Sequence, residues 1–79
     1  MQNQLILFGT QGCHLCEDAE HLLQALNLAY EYQDIIDDEK LLQRYEISIP
    51  VLMQKSASNP KELYWPFTAD TISLWLESN

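Results

Sequence analysis

The fold is decided by residues 5–16, Leu5-Ile6-Leu7-Phe8-Gly9-Thr10-Gln11-Gly12-Cys13-His14-Leu15-Cys16. Four apolar residues in a row, ended by glycine, predict a strand buried on both faces and then a loop. The loop closes at Cys13. Beyond it Leu15, Ala19, Leu22, Leu23 and Leu26 recur at helical spacing with Glu17, Asp18, Glu20 and Gln24 between them, so an amphipathic helix runs on to near Asn27. Two cysteines with two residues between them therefore stand where a strand turns into a helix.

Working outward, residues 30–36 mix aromatic and β-branched side chains with Glu31, Gln33 and Asp34, which suits a strand at a sheet edge. Strand, helix and strand make a βαβ unit, with parallel strands and a right-handed crossover. Asp37 or Asp38 supplies the N-cap of a short second helix whose inner face is Leu41, Leu42 and Tyr45. Residues 49–53 and 62–65 read as strands joined through the turn-rich cluster 56–60 into a hairpin. Thr68 caps a last helix, Phe67 staples onto Ile72, and Ile72, Trp75 and Leu76 face the core. The order is βαβαββα, without repeats or a linker, and residues 1–79 are expected to form one domain.

Composition narrows the function. Hydrophobic residues make up 47% of the 79, enough for a core without a metal or disulfide staple. Twelve acidic and four basic residues give a net charge of −8, which argues against nucleic acid and anionic membranes as partners. Residues 1–39 hold eight of the twelve carboxylates and no Lys or Arg, so a partner docking on that half should be neutral or basic. Met1-Gln2-Asn3-Gln4 has no cationic region and residues 5–8 are too few for a signal peptide or span, so a cytoplasmic location is expected. A bridge closing so short a loop constrains the unfolded chain little, so reactivity or ligation, not stapling, explains the cysteines.

A helix N-terminus presents unpaired N–H groups and partial positive charge, both of which stabilise a thiolate. Cys13 is the better-placed nucleophile. Cys16, a turn further in and more buried, is placed to resolve a mixed disulfide. Glu17 and Asp18 oppose the thiolate and a protonated His14 would favour it, which leaves the Cys13 thiol expected below the ~8.5 of free cysteine, though not far below. Three rival readings stand beside this one. The cysteines could be packing residues, or zinc ligands, although His21 would have to reach over a full helical turn to join them. An iron–sulfur site bridging two chains through Cys13 is the third.

The segments GTQGCHLCEDAE, RYEISIPVL and ELYWPFTADTISLWL together resemble the glutaredoxin-like family of small bacterial proteins in the thioredoxin superfamily, over nearly the whole chain. The resemblance implies an α/β fold with a mixed central sheet and helices on both faces. It implies a cis Pro50 beside the cysteine pair, and an Ile49 backbone open to pair with a substrate strand. Catalysis by Cys13 and Cys16 follows, with His14, Ile49 and Pro50 at the substrate, and with no cofactor or metal. The implied activity is thiol–disulfide exchange, on a disulfide-containing protein or a low-molecular-weight thiol, by a monomer. The alternative is a redox-sensing or partner-binding module without general glutathione-dependent reductase activity. The chain also departs from glutaredoxins. It has CHLC after Thr10-Gln11-Gly12 where they usually have CPYC with a preceding Lys, and 65–70 lack the glycine pair and acidic residue that hold glutathione, with Asp70 as a possible remnant. Trp65, Pro66 and Phe67 are expected to pack in the core, Glu17 and His21 to pair on the helix surface, and Arg44 to be a surface charge.

Overall fold

The structure is a computed structural model and describes residues 4–55 and 60–77. It runs β1 (Gln4–Gly9), α1 (His14–Ala25), β2 (Glu31–Asp34), a 3-10 turn (Ile35–Asp37), α2 (Glu39–Tyr45), β3 (Val51–Lys55), β4 (Lys61–Tyr64) and α3 (Ala69–Glu77). The sheet order is β2-β1-β3-β4, with β1 and β2 parallel and the other pairs antiparallel. This is the expected mixed sheet of an α/β thioredoxin-like fold, with β2 at one edge. Of the turn cluster 56–60, residues 56–59 lie outside the described residues.

β1 is buried on both faces, as a continuous apolar run requires. Leu5 and Leu7 join Ala19, Leu23, Leu52, Phe67 and Ile72 beneath α1 and α3, whereas Phe8 joins Ile35, Tyr45 and Val51 beneath α2. Leu7, Leu23, Leu52 and Ile72 are wholly inaccessible, and burying a side chain of this size contributes roughly 1.5–3 kcal/mol. Caps match the expected residues. The Asp38 carboxylate accepts from the Lys40 amide at 2.9 Å, and Thr68 Oγ1 accepts from the Thr71 amide at 3.2 Å. Thr71 reciprocates, its hydroxyl oxygen accepting from the Thr68 amide at 2.7 Å, so a threonine fills the place that Glu or Gln takes in a capping box.

Three expectations need correction. Leu15 is exposed, and Cys16 takes the inner position above Ala19 and Leu23, because residues 16, 19 and 23 lie on one stripe and 15 is turned away from it. The strand expected over 30–36 stops at Asp34. There the side chain accepts from the Ile36 amide at 3.0 Å, a local bond that turns the backbone into the 3-10 turn, burying Ile35 and exposing Ile36. The third strand begins at Val51, after Pro50, rather than at residue 49.

Candidate active site

β1 delivers the chain to the site and α1 carries it away. Between them Gly12 takes φ +80°, a left-handed conformation that suits glycine, and this turn sets Cys13 in extended backbone as the N-cap of α1. The Cys13 carbonyl accepts the Glu17 amide and its Sγ accepts the Cys16 amide, both at 3.1 Å. Sulfur thus occupies the capping role that a Ser, Thr or Asp oxygen commonly takes. Cys13 and Cys16 are joined as a disulfide with Cα atoms 5.2 Å apart. Cys13 is half-buried, and Cys16 is buried at 1% exposure. The pair therefore has one sulfur at the surface and one behind it.

The loop is fastened from β2. Asp34 pairs with Gly9 in register, and its carboxylate gathers donors from the loop that follows. The Ile36 amide holds the Asp34 carboxyl below the usual carboxylate range, against an opposing effect of burial, and the Thr10 hydroxyl and Gln11 amide add to the lowering. Gly9 itself sits in a crowded place. A Cβ there would lie 2.7 Å from the Tyr32 hydroxyl and 3.0 Å from Cys16 Sγ. Sequence reasoning missed Tyr32 and Asp34. The signal was partial: a glycine closing an apolar strand marks a close approach, but the pairing of Tyr32 with Leu7 and of Asp34 with Gly9 emerges only from the register.

The other expected residues fall as follows. His14 is the first residue of α1 and is exposed. The Ile49-Pro50 peptide is cis, as is Trp65-Pro66, which the sequence did not suggest. The Pro50 side chain is fully buried, so it has no surface of its own to offer a ligand. Ile49 packs partly against Phe8, Ile35, Tyr45 and Val51, and its amide is donated to the Tyr45 carbonyl at 3.1 Å, so only part of its backbone is available to a strand. Phe67 is buried in the core and Trp65 packs against it, edge to face with Phe67 at 5.0 Å, as expected, whereas Pro66 between them is exposed and does not join the core. Arg44 is exposed and lies 3.6 Å from Glu62. Glu17 and His21 form no ion pair among the described residues. Among those residues no three metal-ligating side chains gather, and no helix is long and apolar enough to cross a membrane.

A mixed four-stranded sheet carrying a CxxC pair at the tip of its first helix defines a thioredoxin-like protein. Residues 4–77 match the model of the Glutaredoxin-like domain (DUF836), and the chain belongs to that family. It is similar to protein XcR50 of X. campestris, with 36% identity over 95% of this chain and 97% of that one and a TM-score of 0.80. It is also similar to protein Ne2328 of Nitrosomonas europaea, with 29% identity over 95% and 92% of the two chains and a TM-score of 0.78. Thioredoxin 1 of Thermosipho africanus shares the fold at 17% identity, covering 94% of each chain with a TM-score of 0.59. No curated protein matches the chain.

Proposed function

We propose that the protein is a thiol–disulfide oxidoreductase in which Cys13 is the nucleophile and Cys16 the resolving thiol. The observation that carries this is the Cys16 amide directed at Cys13 Sγ from the first turn of α1, with the second sulfur buried one turn behind. When the pair is reduced, the same N–H and the helix N-terminus favour a thiolate on Cys13. That thiolate attacks a substrate disulfide, forming a mixed disulfide and releasing one substrate thiolate. The Cys16 thiolate then attacks the Cys13 sulfur, which closes the intramolecular disulfide and releases the second. Two electrons pass to the substrate, and two equivalents of a thiol reductant return them.

Charge favours some substrates over others. The cations are Lys40, Arg44, Lys55 and Lys61, whereas Glu17, Glu20 and Asp34 surround the sulfur side of α1 and β2. A neutral or cationic disulfide, on a protein or a small molecule, suits this field better than anionic glutathione. The Ile49 carbonyl would be the docking point for its backbone. The reading calls for a reducing compartment, the cytoplasm, and for a monomer.

The test is disulfide reduction with a dithiol reductant. Cys13→Ser should abolish turnover, by at least about 100-fold, because the remaining thiol, Cys16, is buried away from substrate. Cys16→Ser should stall as a covalent adduct at Cys13. Variants that keep full turnover and trap no adduct would overturn the proposal, and non-covalent capture of partners alone would favour the partner-binding reading.

A further inference from the structure

We infer that the Tyr32 hydroxyl is the hydrogen-bond donor that holds the Cys16 sulfur as a thiolate during the resolving step. This deepens the exchange reading and rests on it. The Tyr32 oxygen and Cys16 Sγ border the same space over the Gly9 α-carbon, 2.7 and 3.0 Å from where a Cβ would stand. Glycine is what lets them share that space. Tyr32 reaches it because β2 runs parallel to β1 with Tyr32 opposite Leu7, which turns its ring to the α1 face.

Cys16 needs such a donor more than Cys13 does. The Cys16 amide serves Cys13, whereas Cys16 Sγ, on the third residue of α1, accepts no hydrogen bond among the described residues. It is also buried, and burial penalises its charged form. The carboxylates facing this corner, Glu17 and Glu20 from α1 and Asp34 from β2, add repulsion, and Tyr30 is the remaining titratable neighbour. Burial first, and then these same charges, raise the Tyr32 phenol above its ordinary value, so it keeps its proton and acts as a donor. Tyr30 cannot take the role, because its hydroxyl donates to Glu20 at 2.8 Å. Among the described residues no hydrogen bond engages the Tyr32 hydroxyl, Cys16 Sγ of the disulfide included, so the bond inferred here is one made to the reduced sulfur.

In the resolving step the Cys16 proton passes to solvent, the Cys16–Cys13 bond forms, and the Cys13–substrate bond breaks with the electron pair leaving on the substrate sulfur. Tyr32 is neither oxidised nor reduced. It lowers the energy of the attacking anion, and in the reverse direction that of the departing one.

The experiment mixes reduced protein with an aromatic disulfide whose thiolate is coloured and follows two releases by stopped flow. The first is the attack of Cys13 and scales with reagent concentration. The second is resolution by Cys16 and does not. Tyr32→Phe should leave the first release unchanged, slow the second about tenfold, as loss of a hydrogen bond to a charged group does, and move its pH profile upward. An unchanged second release, or an equal slowing of both, would overturn the role of Tyr32. A wild-type protein with no second release would instead overturn the exchange mechanism itself. A measurement on the unsubstituted protein guards against a misfolded variant. With 13C-labelled Tyr and Cys, the Tyr32 Cζ and Cys16 Cβ resonances of the reduced protein should titrate with one midpoint, and independent midpoints would sink the inference.

Discussion

The two faces of the sheet use tyrosine differently. Beneath α2, Tyr45 stacks on Phe8 at 4.7 Å and donates its hydroxyl to one oxygen of Glu62, while Tyr64 donates to the other at 2.9 Å and Arg44 lies 3.6 Å away. Donors and acceptor are matched there, and the cluster pins β4 to α2. Beneath α1, Tyr30 is similarly engaged with Glu20, but Tyr32 ends near a sulfur, with no carboxylate among the described residues accepting from it. A hydroxyl with a partner holds a fold together. One left next to a group whose charge changes can act on that change.

Three further experiments bear on this contrast. Gly9→Ala has the largest expected effect, because the new methyl meets the Tyr32 hydroxyl and the sulfur of a residue fixed in α1. Overpacking of this kind should cost about 1–3 kcal/mol in urea unfolding of the oxidised protein, and a variant as stable as the parent would mean that the corner is roomier than described. Tyr45→Phe should cost somewhat less, about 1–2 kcal/mol, since Glu62 loses one donor but keeps Tyr64 and Arg44. Its exchange rate should stay within about twofold of wild type, as a hydrogen bond remote from the sulfurs has no claim on the barrier. Burial, then the bond to Glu62, pushes the Tyr45 phenol up to about 12. A raised value means that the folded state holds this proton longer than the unfolded one, so the contribution is complete below the unfolded value of ~10 and lost as pH rises through the folded one. The wild type should therefore lose stability between those values more steeply than Tyr45→Phe.

The smallest effect is expected at Asp34. Its carboxyl is held below the ordinary range, so the stability it contributes is present above the unfolded value of ~3.9 and disappears as pH falls through the lower folded value. Asp34→Asn should be less stable than wild type at neutral pH, with the gap closing in acid. A gap independent of pH would show that the carboxylate's charge is not what ties down the loop.

Much of this architecture could be read from residue patterns. The apolar run at 5–8, the spacing of Ala19, Leu22, Leu23 and Leu26, and the cap residues Asp38 and Thr68 all report local physics, and they correctly place β1, α1, α2 and α3. The disulfide partners were legible for the same reason, as two residues fixed by one helical turn. What was illegible depended on competition or on long-range pairing. Asp34 ends a strand by bonding its own neighbour, which a β-rich composition does not disclose. Leu15 looks like a core residue until Cys16 is counted as apolar, and then the stripe shifts by one position. Tyr32, Tyr45 and Glu62 are ordinary residues in sequence and become networks only once register is known.

Lys61 illustrates how such register-dependent contacts spread. From the first position of β4 it donates to the Trp75 carbonyl at 2.8 Å and stands 5.5 Å from the centre of the Trp75 ring, near the end of a helix with no basic residue in its own last turn. The last turn of α3 thus takes a counter-charge from β4, so amide protons there and those at the start of β4 should exchange with deuterium as one unit.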